Sequence, residues 1–131
     1  MSPENVENLR ALLETWNRRE PNLSLLDPDC TFEDTVLPDQ VGESYRGHEG
    51  VIRAAENWAA AYEWLRVELE QIVEVGELLV SVHRMKAKAR YTSIEFDATF
   101  AYLWTFRDGK IVNFRGYADP RQALQAVGLE E

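Results

Sequence analysis

The chain has 131 residues, 45% of them hydrophobic, enough to bury a core and too many for a disordered chain. Its 23 acidic against 14 basic residues leave a formal charge of −9, which argues against nucleic acid and anionic membrane surfaces as partners. No apolar run approaches the roughly 18–20 residues of a membrane span, and a lone Cys30 excludes an intrachain disulfide, so a reducing cytoplasm is the expected location.

The first ten residues, MSPENVENLR, lack the basic and apolar regions of a signal peptide, and none is expected. Ser2-Pro3-Glu4 reads as a helix start, with a hydroxyl cap, proline in the first turn and an acid beside it. Val6, Leu9, Leu12, Leu13 and Trp16 follow at helical spacing and define one apolar face. Pro21 in RREPNLS interrupts that pattern, and a partial turn is expected around Leu23 to Leu26. Residues 30–36, CTFEDTV, predict a short strand with Phe32 and Asp34 on one face and Glu33 on the other. Cys30 in that strand reads as a small buried hydrophobe rather than a nucleophile. LPDQVGESYRG then reads as a long polar loop.

A second helix is expected from Glu49 to Leu65, with Val51, Ile52, Ala55, Trp58, Ala59 and Tyr62 on one broad face. His48, in GHEG, stands beside its N-terminus, and the GxxG spacing reads as a loop-to-helix turn rather than a phosphate loop. Four strands follow with little between them: RVELEQIVEV, ELLVSVHRMKAKAR, SIEFDATFAYLWTF and KIVNFRGYA. In the second of these, Arg84, Lys86, Lys88 and Arg90 share one face, and Ser81, His83, Met85, Ala87 and Ala89 the other. A four-residue YTSI loop would set Arg90 against Glu95 and Lys88 against Asp97, making the basic row one half of a paired, solvated or subunit-facing surface. The same register sets Met85 opposite Phe100 and His83 opposite Tyr102. Phe96, Phe100, Tyr102, Trp104 and Phe106 form an aromatic stripe on that side, interrupted by Ala87, Ala89 and Ala98, a composition suited to a cavity wall.

FRDGKI leaves two hairpins open. A two-residue Asp-Gly turn carries Asn113, Arg115 and Tyr117 inward, and a type I turn with Gly109 in a bulge carries Val112, Phe114 and Gly116 inward. The second is preferred, because an inward Arg115 needs a partner or an anionic ligand. Asp119-Pro120 caps a last helix, docked by Leu124 and Val127 and stopped by Gly128. Residues 1–131 thus read as one domain, without repeats or linkers.

CTFED, YRGHEGV, the long hairpins and above all FRDGKIVNFRGYADPRQALQAVGL resemble the SnoaL-like branch of the nuclear transport factor 2-like superfamily over nearly the whole length. The resemblance implies an α+β cone: a strongly curved, mixed or antiparallel sheet wrapped around N-terminal helices, with a short C-terminal helix. It also implies a mostly apolar pocket and a homodimer built through the sheet. In ketosteroid isomerase relatives the general-base aspartate falls at Asp34, and the two oxyanion donors near Leu12, which cannot donate, and Tyr102, which can. The water-activating arginine and aspartates of limonene epoxide hydrolase relatives fall at His83, Met85 and Gly116, so that polar triad is absent. The late acidic residue of polyketide cyclases has no inward counterpart.

The expected site is therefore Asp34, His83 and Tyr102 converging in an aromatic cone. A desolvated Asp34 would act as general base, His83 as its partner or a proton relay, and Tyr102 as donor to an enolate oxygen. Trp16, Phe32, Trp58, Tyr62, Met85, Phe100, Trp104 and Phe114 are the expected ligand-binding walls. His48 and His83 lack metal-ligand spacing. The reading is a cofactor-free isomerase or cyclase acting on a small hydrophobic carbonyl compound. The alternatives are a non-catalytic module that binds a small hydrophobic molecule and a dimerising domain with a filled core.

Overall fold

The computed structural model describes residues 3–17, 23–34 and 43–128, and of Pro3, Glu4, Trp16, Asn17, Asp34 and Glu43 the backbone alone. Ser2, the RREPN break and the loop residues 35–42 lie outside the described residues.

Helix α1 (Pro3–Asn17) buries Leu9 and Leu12 and half-buries Val6 and Leu13, the face its spacing predicts. A 3₁₀ turn at Leu23–Leu25 leads into β1 (Leu26–Asp34), which starts four residues earlier than the sequence pattern suggested. Part of the expected polar loop is ordered as β2 (Glu43–Arg46), paired antiparallel with β1 so that Phe32 faces Tyr45. Stacking of those two rings, 5.8 Å between centroids, is a contact no local pattern announces.

Helix α2 (Gly47–Ala61) ends four residues short of its expected limit, and β3 (Tyr62–Val75) begins at once. The cause is Arg90. Its guanidinium donates to the carbonyls of Ala60 and Tyr62 at 3.1 and 2.8 Å, satisfying groups the helix end leaves open, while β4 offers an edge for Tyr62 onward. At the other end, Gly47 holds φ +73°, and a Cβ there would lie 3.1 Å from the Pro28 carbonyl oxygen. Gly50 packs against Tyr45, where a Cβ would approach to 3.1 Å. GHEG is thus a close-packed turn, and His48 donates from Nε2 to the Leu26 carbonyl at 2.8 Å, tying α2 to β1.

Strands β4 (Leu78–Ala89), β5 (Glu95–Arg107) and β6 (Lys110–Tyr117) complete a six-stranded mixed sheet in the order β2-β1-β6-β5-β4-β3. Among the described strands only β1–β6 is parallel. The β4–β5 register is two residues away from the expected one. His83 faces Phe100, Ser81 faces Tyr102, Met85 faces Ala98 and Lys88 faces Glu95. The loop causes the slip: it spans residues 90–94, closed by Ala89 N–H to the Ile94 carbonyl with Ser93 at φ 59°, so Arg90 leaves the ladder and caps α2. A two-residue slip preserves faces, so Ser81, His83, Met85 and Ala87 still point inward. The outward charges pair differently: Arg84 makes a bidentate contact with Asp97 at 2.8 Å, and Lys88 reaches Glu63 at 3.3 Å. Its Arg84 partner holds the Asp97 carboxyl below the usual carboxylate range.

The last hairpin combines both expectations. Asp108 (φ 51°) and Gly109 (φ 79°) make a tight two-residue turn, and a register break then follows, with Phe106 facing Ile111 but Thr105 facing Asn113. The extra residue, Val112, is a bulge that turns Phe114 and Gly116 inward and Arg115 out. Asp119 then accepts from the Arg121 N–H at 3.0 Å and caps α3 (Pro120–Ala126). This helix buries Ala123 on the outer face of the sheet against Val80 and Ala101, with Leu124 and Val127 packed around it.

Gly47→Ala should lower stability in urea unfolding by more than about 1 kcal/mol, because it meets both a left-handed φ and the Pro28 carbonyl. Gly109→Ala, with open space around its Cβ, should cost less.

Candidate functional site

The inner face carries two buried clusters. One joins α1, β1, β2 and the end of the sheet around Phe32, Trp104, Ile111 and Phe114, and the other holds Trp58, Tyr62, Met85, Ala87 and Phe100. Between them lies a cavity of about 370 Å³. Its walls are Trp58, Phe100, Tyr102, Trp104 and Phe114, its floor Leu65, Val67 and Leu69 of β3, and its helical side Leu13 of α1 with Ile52, Ala55, Glu56 and Ala59 of α2. The space exists because α2 presents alanines to an aromatic wall. The small residues that open it are Ala55 and Ala59, whereas Ala87, expected in that role, is packed in the second cluster.

The aromatic wall is continuous. Phe32 stacks on Phe114 at 4.2 Å and Phe114 on Trp104 at 4.7 Å. Tyr102 meets Phe32, Trp104 and Phe114 edge-on. His83 lies parallel to Phe100 at 5.1 Å and edge-on to Tyr102 at 5.5 Å. His83 and Tyr102 are therefore neighbours in the wall despite the changed register, because diagonal positions on one face remain within reach of ring side chains.

Of the expected ligand walls, Trp58, Phe100, Trp104 and Phe114 line the cavity. Phe32, Tyr62 and Met85 stand behind it as core, each at most 7% exposed. The Trp16 side chain lies outside the described residues, as does that of Asp34, whose backbone ends β1 opposite Glu43. Leu12 is core at 2% exposure. Sequence reasoning anticipated the RVELEQIVEV strand but not that Leu65, Val67 and Leu69 of β3, or Glu56 of α2, line the cavity. The alternation of Leu65, Val67 and Leu69 with charged residues was the available signal for β3, and Glu56 stands one turn from both Ile52 and Ala59. Cys30 is fully buried, and burial together with Asp27 and Asp29 raises its thiol pKa, as suits an inert core residue. No cluster of metal-ligating side chains occurs among the described residues.

A buried polar chain underlies the wall. Trp104 Nε1–H donates to Ser81 Oγ at 2.7 Å, and Ser81 Oγ lies 2.7 Å from His83 Nε2. Ser81 and His83 are the buried polar residues of the inner face, at 0% and 2% exposure. Burial pushes the His83 imidazole down to about 4, so it is neutral at pH 7.

A SnoaL-like domain model matches residues 9–114. The chain belongs to the SnoaL-like domain family. Its solved neighbours share its NTF2-like fold, which among the described residues is an α+β arrangement of a six-stranded mixed sheet and three α-helices, the last a short C-terminal one. An NTF2-like protein of unknown function from Burkholderia pseudomallei K96243 is 23% identical, with TM-score 0.79, over 98% of this chain and 99% of that one. TerC, co-crystallised with polyporic acid, is 20% identical with TM-score 0.77, over 95% and 98%. A candidate SnoaL-like polyketide cyclase from Jannaschia sp. CCS1 is 18% identical with TM-score 0.71, over 100% and 98%. No curated protein matches by sequence. No helix among the described residues of this SnoaL-like chain is long and apolar enough to cross a membrane.

The depressed His83 value gives a stability signature. Folded His83 titrates near 4 and an unfolded histidine near 6.5, so on acidification the unfolded chain takes up its proton first. The His83 contribution is full above pH 6.5 and is lost as pH falls to about 4, by roughly 3 kcal/mol. Urea midpoints measured across that window should fall in the native protein and stay flatter in His83→Phe.

Proposed function

We propose that this SnoaL-like protein takes a small, largely apolar carbonyl compound into its cavity and acts on it, without a cofactor, as an isomerase or cyclase. The supporting observation is the wall itself, in which His83 and Tyr102 stand side by side among Trp58, Phe100, Trp104 and Phe114. Pockets of this kind, mostly apolar with a few converging polar groups, orient a small ligand by its polar atom. The co-crystallised polyporic acid of the TerC neighbour agrees with a small-molecule role for the fold.

In this reading Asp34, two residues beyond Phe32 on β1, removes a proton from the carbon beside the carbonyl. The bonding pair moves onto the carbonyl oxygen, which Tyr102 and the neutral His83 hold by hydrogen bonds. Return of the proton at another carbon completes an isomerisation. Attack of the carbanion on a second carbonyl carbon, with the proton delivered to the new alkoxide, completes a cyclisation. The walls Trp58, Phe100, Trp104 and Phe114 exclude water from the enolate.

A non-catalytic binding module is the second reading. It is favoured by the described lining, where the only carboxylate is Glu56 on an exposed part of α2. Solvent deuterium exchange at C2 of 1-tetralone, followed by NMR, separates the two. The enzyme reading expects exchange above the uncatalysed rate, falling about 100-fold in Asp34→Asn with tetralone affinity kept. Binding without exchange in either protein supports the module. The resemblance also motivates a homodimer through the outer face around Arg84 and Lys86. Sedimentation at micromolar concentration should return twice the 15.1 kDa chain mass, and a monomer would remove that proposal.

A further inference from the structure

We infer that Ser81 and Trp104 lock His83 in the tautomer that carries its proton on Nδ1, so that the cavity presents a fixed donor to a hydrogen-bond acceptor such as a ketone oxygen. This rests on the small-molecule reading above and narrows its ligand class.

The donors and acceptors of the buried chain fix where the His83 proton sits. The indole N–H of Trp104 can only donate, so it fills an acceptor position on Ser81 Oγ. The Ser81 hydroxyl has one proton of its own, and among the described residues its only acceptor is His83 Nε2. Nε2 is therefore the unprotonated nitrogen, and the proton of the neutral ring sits on Nδ1. Among the described residues no fully buried side-chain nitrogen or oxygen is unpaired. Nδ1 has no partner among the described residues, and His83 lines the cavity, so Nδ1 is the atom the cavity reaches. Stacking on Phe100 at 5.1 Å with an 18° interplanar angle holds the ring against rotation. Ser81 and Trp104 are thus positioning residues, and His83 is a donor rather than a proton relay. An apolar ligand without an acceptor leaves the Nδ1–H unpaired, which is the arrangement that discriminates most strongly between two compounds of the same shape.

The protein contains its own reference. His48 donates from Nε2 to the Leu26 carbonyl, so Nε2 carries a proton in His48 and none in His83. A long-range ¹H–¹⁵N correlation spectrum at neutral pH should show protonated Nε2 for His48 and protonated Nδ1 for His83, with His83→Phe giving the assignment. A protonated Nε2 on His83 overturns the inference without reference to any ligand. In Ser81→Ala the His83 pattern should become that of mixed tautomers, and an unchanged pattern removes Ser81 from the lock.

For the ligand class, 1-tetralone and tetralin differ by the carbonyl alone. Tetralone should bind roughly tenfold tighter, shifting the His83 Nδ1–H resonance, and the advantage should vanish in His83→Phe. Equal binding of both compounds overturns the acceptor preference and leaves the pocket reading standing. Binding of neither removes the pocket reading, while the tautomer spectrum still decides the lock.

Discussion

The parallel pairing of β1 with β6 is the contact on which the rest depends. It joins Thr31 to Asn113 and Phe32 to Phe114, residues about eighty positions apart, and it is sealed twice. Asn113 donates to the Thr31 hydroxyl at 2.7 Å, and the ring of Phe32 stacks on Phe114 at 4.2 Å. Without it the four C-terminal strands are a meander with one oily face. With it, β2 is seated beyond β1, and the His48 bond to Leu26 and the packing of Gly50 on Tyr45 draw α2 across the open side. The cavity exists only once that helix is in place.

The interior then follows from volume and satisfaction of polar atoms. Large rings on β5 and β6 meet α2 at Ala55 and Ala59, which are too small to fill the gap, so a void persists between two close-packed clusters. A hydroxyl, an indole N–H and an imidazole are buried at its edge, a costly arrangement unless each is paired. Ser81, Trp104 and His83 solve that jointly. The loss of solvation that makes His83 neutral also lets one hydrogen-bond chain set the direction of its proton. The ion pairs of Arg84 with Asp97, Lys88 with Glu63 and Arg115 with Glu33 lie on the exposed surface.

Much of this was legible in residues alone. Alternation along 78–90 and 95–106 identified the inward His83, Tyr102 and Trp104 and the outward Arg84 and Lys86, and a register error of two residues left every one of those assignments intact. The final helix was readable to its caps, because Asp119, Pro120 and Gly128 act through local backbone chemistry. The inward Phe114 was anticipated for a sound reason, the cost of an inward Arg115, although the device proved to be a tight Asp108-Gly109 turn with a bulge at Val112. What failed depended on distant partners. The α2 boundary was set by Arg90 from another hairpin, and β2 formed because β1 offered an edge.

The sequence by itself determined which side chains of β4 and β5 face in, where the last helix is capped and that the chain is an acidic α+β domain of SnoaL-like character. These are properties of period and local backbone preference, and they survive ignorance of the partner strand. Only the tertiary structure decided the β4–β5 register, the contribution of β3 and α2 to the cavity, and the bonding of His83 to Ser81 rather than to a carboxylate among the described residues. Those are properties of contact and desolvation between segments far apart in the chain. No local pattern encodes the depth to which an imidazole is buried, or which hydroxyl it meets there.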